Sequence, residues 1–110
     1  MIRFNTYIKA ITLMGQIAVD FGLTHPIQKR LLNLVGLAES KDLALKAGDL
    51  VIKARVASMS ACRIHFAALQ EKDLVETVVN QGDQRSRLVR LTVKGASYFK
   101  KMNSVILDAG

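Results

Sequence analysis

The chain is poor in the features that tie a sequence to several common function classes. A single cysteine, Cys62, in 110 residues rules out an intramolecular disulfide framework and suits a reducing compartment. Gly36, Gly48 and Gly82 stand alone, so there is no glycine-rich loop to cradle a phosphate. His25 and His65 lie far apart and neither has a companion at metal-ligand spacing. No catalytic constellation stands out, and neither enzyme activity, nor a metal, nor a cofactor is expected. The longest uncharged stretch near the start, Ala10 to Val19, falls far short of the ~20 residues a membrane-spanning helix needs. Arg3 and Lys9 precede it in the manner of a signal peptide, but Thr12, Gly15 and Gln16 interrupt the apolar run. A cytoplasmic protein without a membrane partner is the expectation. Pro26 is the only proline, and no repeat, linker or low-complexity tract divides the chain, so residues 1–110 read as one domain.

Acidic residues are also scarce. Nine Asp and Glu face sixteen Lys and Arg, a formal charge of +7, which favours polyanionic partners. The surplus is uneven. Residues 1–40 hold four basic and two acidic groups, residues 41–80 six and five, and residues 81–110 six and two.

The apolar residues, half of the chain, are arranged mainly on a helical period. From Thr6 to Phe21 the polar residues Asn5, Lys9, Thr12, Gln16 and Asp20 form one narrow stripe, and apolar residues fill most of the remaining circumference. Such a helix must be covered on more than one side, and in a short chain a second copy is the economical cover. Thr24 and Pro26 mark the start of a second helix, with Ile27, Leu31, Leu34, Val35 and Ala38 as its buried face. Ser40 to Leu45 is a connection with room for a brief strand. A third helix spans Ala47 to Ala54, with Leu50, Val51 and Ala54 inward. After a turn at Arg55 to Ala57, Ser58 caps a fourth helix that runs to Lys72 and is pinned by Cys62, Phe66 and Leu69. Buried in this way, Cys62 reads as a core residue rather than a redox sensor, and His65 as a half-buried packing residue.

The period then shortens to that of strands. Leu74 to Val79 and Arg87 to Leu91 predict a hairpin whose loop is Asn80 to Ser86. Thr92 caps a last helix whose apolar face is Phe99, Met102, Ile106 and Ala109. Helix, helix, helix-turn-helix, hairpin, helix is the order of a winged helix-turn-helix domain, mainly α with a small β-hairpin wing. The fourth helix would turn Ser58, Ser60, Ala61, Arg63, Ile64 and Ala68 outward. Serine hydroxyls bond phosphates or base edges, Arg63 suits guanine, and exposed Ile64 suits a thymine methyl. Arg85, Arg87 and Arg90 crowd the hairpin, where an arginine enters a narrow minor groove favourably.

From Ser58 to Gly95 the sequence resembles the multiple-antibiotic-resistance regulator (MarR) family of bacterial winged-helix repressors. The matching residues are Leu69-Gln70-Glu71-Lys72-Asp73-Leu74-Val75, Asp83-Gln84-Arg85-Ser86 and Val89-Arg90-Leu91-Thr92-Val93-Lys94-Gly95. The resemblance implies a DNA-binding transcription regulator that docks on double-stranded DNA as a homodimer, with residues 1–22 and 93–110 as dimerisation helices and 47–91 as helix-turn-helix and wing. It implies a minor-groove role for Arg85 with Asp83 supporting it, groove contacts from Ser58, Ser60 and Arg63, and a small-molecule effector as in many members. Asp73 stands where the family has glycine, a position that wants a left-handed backbone, and the sequence ends at Gly110 where members usually continue into a further dimerisation helix. The rival reading is a winged helix that binds another protein through Ile64 and the apolar first helix, since one fold serves both roles.

Overall fold

A computed structural model describes residues 4–54 and 58–109. Five helices and two strands follow in the order α1 (Phe4–Asp20), α2 (Pro26–Ser40), α3 (Ala47–Ala54), α4 (Met59–Glu71), β1 (Val75–Asn80), β2 (Asp83–Leu91) and α5 (Val93–Ala109). This is the winged-helix order expected from the sequence. The expected turn at Arg55 to Ala57 lies outside the described residues, as do the side chains of Val51, Ala54 and Ala109.

The core gathers one stripe from each element. Leu31, Leu32 and Val35 of α2, Leu50 of α3, Cys62 and Leu69 of α4, and Leu74 just before β1 are all fully buried. Phe66 and Met102 pack against them from the edge. The aromatic side chains fasten α5 to the rest. Tyr98 meets Phe21 edge-on at 5.4 Å and Phe99 at 5.1 Å between ring centroids, an arrangement that the ring quadrupole favours. Phe99 in turn lies over Gly36 so closely that a Cβ there would sit 2.6 Å from the ring.

Three helices end in the same way. After α1, α2 and α4 the chain takes one left-handed residue, Gly22 (φ 74°), Asp42 (φ 55°) and Asp73 (φ 60°). In each case the next amide bonds back to a carbonyl of the last turn: Leu23 to Ala18 at 2.7 Å, Leu43 to Ala38 at 2.9 Å, and Leu74 to Leu69 at 3.0 Å. These paired bonds satisfy carbonyls that a helix end leaves open. Asp73 therefore takes the conformation expected of it.

Helix starts match the sequence less evenly. Ser58 caps α4 by accepting the Ala61 amide at 3.1 Å, and the Thr92 hydroxyl accepts the Gly95 amide at 3.0 Å, both as expected. The cap of α2 is not Thr24. His25 fills it, its Nδ1 accepting the Ile27 amide at 3.1 Å, because an imidazole one residue before Pro26 reaches the same open donor.

The hairpin is also tighter than expected. β1 and β2 pair from Val75↔Leu91 to Val79↔Arg87, and the next pair is Asn80↔Asp83. The connection shrinks to Gln81 and Gly82, with the Asn80 side chain accepting the Gly82 amide at 3.1 Å. The extra residues Gln84, Arg85 and Ser86 are taken up as a bulge within β2 rather than as a loop. The brief strand allowed between α2 and α3 is a single bridge, Lys46↔Leu88, with the Val89 amide donating to the Leu45 carbonyl at 2.8 Å. Near the other end of the same edge the Glu39 carboxylate accepts the Leu91 amide at 2.7 Å.

The molecule measures 55 × 27 × 24 Å with a radius of gyration of 15.3 Å, against about 13 Å for a compact chain of this length. Its accessible surface is 7552 Å², against about 6,000 Å² for a folded monomer of this mass. The excess has a visible source. Tyr7, Ile8, Ile11, Leu13 and Val19 of α1 and Ile106 and Leu107 of α5 are all exposed. Ile106, expected on the core face of the last helix, thus points outward, because α5 continues past the part of the domain that would cover it.

Candidate nucleic-acid interface

The buried or half-buried positions on α4, chiefly Cys62, His65, Phe66 and Leu69, turn the helix so that Ser60, Arg63, Ile64 and Ala67 meet solvent. Ile64 is 68% exposed, a high value for a large aliphatic side chain with no polar atom of its own. Ala61 and Ala68, expected outward, are half-buried instead, because they lie beside Cys62 and Leu69 at the edge of the core-facing stripe. Ser58 is exposed at the helix start. Its oxygen accepts the Ala61 amide, which leaves the hydroxyl proton available to an acceptor outside. A helix N-terminus also carries a partial positive charge that suits an anion.

Two residues beside this face were not expected. Ile52 of α3 and Met59 at the start of α4 are both exposed and, with Ala47, Gly48, Phe66 and the stem of Arg63, line a shallow apolar pocket between the two helices. The sequence carries a faint sign of it. Once Leu50 is assigned inward on a 3.6-residue period, Ile52, two residues on, falls on the far side.

The wing places its charge by the alternation of β2. Arg85, Arg87 and Arg90 are exposed, whereas Val89 is buried. Arg90 lies directly across from Glu76, while Arg87 lies across from Val79. Charge is therefore matched across the ladder at Arg90, near the base of the hairpin, whereas Arg87, nearer the tip, faces an apolar residue. Arg85 sits in the bulge, where the strand bends away from its partner. The side chain of Asp83, the expected support for Arg85, lies outside the described residues.

The largest departure from expectation is behind the exposed face of α4. His25 and His65, distant in sequence, stack with ring centroids 3.9 Å apart and planes tilted by 32°. Gln28, a buried polar residue of α2, bonds His65 Nδ1 through its Nε2 at 3.1 Å. Its Oε1 accepts the Lys72 ammonium at 2.6 Å, and Lys72 also donates to the Gly22 carbonyl. Burial, then the neighbouring His25 ring and then the Lys72 charge, lowers the pKa of His65 below the ordinary imidazole value. His65 is indeed half-buried, but it belongs to a polar chain rather than to apolar packing. Nothing in the spacing of two lone histidines announces that chain.

Among the described residues no helix is long and apolar enough to cross a membrane, and no three His, Cys, Asp or Glu side chains gather as a metal site would require. Known structures share the fold. The S. aureus MepR–DNA complex matches with a TM-score of 0.75 at 18% identity, over 96% of this chain and 76% of that one. The transcriptional regulator Tm0710 from Thermotoga maritima matches with 0.68 at 18% identity, over 88% and 64%. A MarR-like transcription regulator from Bacillus cereus matches with 0.61 at 18% identity, over 96% and 71%. At these identities the likeness establishes the fold, the winged helix of MarR-like regulators. The sequence matches no protein-family profile and no curated protein.

Proposed function

We propose that the chain is a DNA-binding transcription regulator that acts as a homodimer on duplex DNA. The observation that carries this reading is the exposure of Arg85 and Arg87 at the outer part of the wing, in a fold that MepR uses in complex with DNA. In this reading α4 enters the major groove. Ser58 and the helix start hold a phosphate, Arg63 bonds guanine O6 and N7, and Ser60, Ala61 and Ile64 contact base edges. Arg85 enters the minor groove, Arg87 follows the phosphate backbone, and Asp83 orients Arg85.

Dimerisation rests on the exposed apolar residues of α1 and α5, which a monomer would leave in water. Replacing Leu13 by aspartate should convert the dimer to a monomer on light scattering while the helical circular dichroism persists. A dimer of unchanged affinity would move the interface elsewhere.

Selection of bound duplexes from a random DNA pool tests the whole reading. An inverted repeat should emerge, with half-sites about one helical turn, ~34 Å, apart. Affinity for it should fall by roughly 10³ to 10⁵ between 50 and 200 mM salt if six to ten phosphates are contacted. One observation favours a second reading, a protein-interaction module. Ile52, Met59 and Ile64 put apolar side chains on the surface of the helix-turn-helix. No duplex binding at low salt, together with a stable heteromeric complex that ignores salt, would establish it.

A further inference from the structure

We propose that His25 and His65 are positioning residues for α4 that hold it for DNA only as neutral imidazoles, so that acidification releases the DNA. The inference rests on the DNA-binding reading above and adds a condition to it.

Lys72 is the one group in the cluster whose hydrogen-bonding role is beyond choice. A lysine ammonium only donates. Lys72 donates to Gln28 Oε1 at 2.6 Å, so that atom is the amide oxygen and the other, Nε2, is the NH₂ group. Nε2 lies 3.1 Å from His65 Nδ1 and must donate to it. Nδ1 of His65 therefore carries no proton. Nδ1 of His25 accepts the Ile27 amide at 3.1 Å and carries none either. Two rings stacked at 3.9 Å thus have the same nitrogen committed as an acceptor.

Protonating His65 would set N–H against N–H. Gln28 has no escape by flipping, because its oxygen is needed by Lys72, and Lys72 is itself tethered to the Gly22 carbonyl. With Gln28 only 8% exposed, water cannot readily replace the lost acceptor. The titratable and charged groups acting on His65 are His25 and Lys72, both positive when protonated, so the new charge meets repulsion. The contacts concerned join the start of α2 to the middle and end of α4, and breaking them loosens the hold on the helix that carries Ser60, Arg63 and Ile64. Burial and the neighbouring His25 and Lys72 hold the pKa of His65 below the ordinary imidazole value, so its neutral form and the Gln28 contact are lost as the pH falls through that lowered value.

The sign is opposite to that of simple electrostatics. An added positive charge should tighten binding to a polyanion, whereas loss of positioning weakens it. The test is fluorescence anisotropy on the duplex recovered from the random pool, at pH 7.5 and 5.5 and constant ionic strength. Wild-type affinity should fall on acidification, by no more than about tenfold, the limit for one proton taken up by a group that titrates below 6.5, with helical circular dichroism unchanged. The double variant His25→Asn, His65→Asn keeps an acceptor near each Nδ1 position and cannot titrate, so its affinity should vary by less than about twofold over the same range. Equal or tighter wild-type binding at pH 5.5, an unaltered pH response in the variant, or a parallel loss of helix signal would each overturn the proposal. Amide NMR of the free wild-type protein supplies a readout without DNA: the Ile27 amide and those of α4 should shift together with the His65 ring. Absence of that common titration also overturns the proposal, whereas its presence with no duplex binding at any pH would sink only the DNA-binding reading.

Discussion

Arg85→Ala should weaken duplex binding by about 10- to 100-fold, the usual cost of removing an arginine that reads a groove, without moving the thermal midpoint. The two halves of that expectation have separate grounds. Arg85 is exposed on the bulge of β2, where a substitution away from the core rarely alters stability by more than about 0.5 kcal/mol. Its place among the unpaired residues 84–86 of β2 is where, on the proposed reading, a guanidinium would enter the minor groove. Arg87→Ala should behave differently. A phosphate contact carries no sequence information, so affinity should drop by a similar factor on all duplexes, and the salt slope should shrink by about one. Gel-shift titration of both variants at two salt concentrations separates the roles, and wild-type affinity in Arg85→Ala would remove the wing tip from the mechanism.

Gly95→Ala should be the most destabilising conservative change in the described structure, at about 3 kcal/mol. A Cβ at Gly95 would lie 2.2 Å from the Leu74 carbonyl oxygen, and that oxygen cannot retreat, since it accepts the Thr92 amide at 3.2 Å. The whole first turn of α5 must move instead, dragging Leu91 and Tyr98 with it. The thermal midpoint should drop by about 12 °C, at about 4 °C per kcal/mol. Gly48→Ala is the control. Nothing lies within 4 Å of a Cβ there, and alanine is the better helix former, so the midpoint should hold or rise slightly. Equal melting of the two variants would show that α5 adapts at no cost.

What could be read from the sequence follows from where each signal is local. The stripe that buries Cys62, Phe66 and Leu69, the serine cap before α4 and the threonine cap before α5 depend on spacings of three or four residues, and they emerged as expected. Asp73 is legible from the family resemblance, which sets it where a glycine usually stands. Its twin, Asp42, was overlooked although the triplet Lys-Asp-Leu occurs at both places, Lys41-Asp42-Leu43 and Lys72-Asp73-Leu74. The wing was read as a long loop because a bulge has no compositional mark. Its extra residues look the same in sequence whether they cap a hairpin or bend a strand. The His25–His65 stack was invisible because it depends on how α2 crosses α4, a fact of tertiary packing that no window of residues contains. The exposed residues of the helix-turn-helix fall between these cases. Arg63 and Ile64 followed from the helical period, whereas Ile52 and Met59 needed the angle between α3 and α4.

The carboxylate of Glu39 has one more consequence. Two-stranded sheets are prone to recruit a stray strand along an open border, the first step of many ordered aggregates. Here Lys46 occupies that border at Leu88 and the Glu39 side chain seals the amide of Leu91, so a passing chain finds few docking hydrogen bonds in sequence. That border of the wing is thereby a poor template for a second chain.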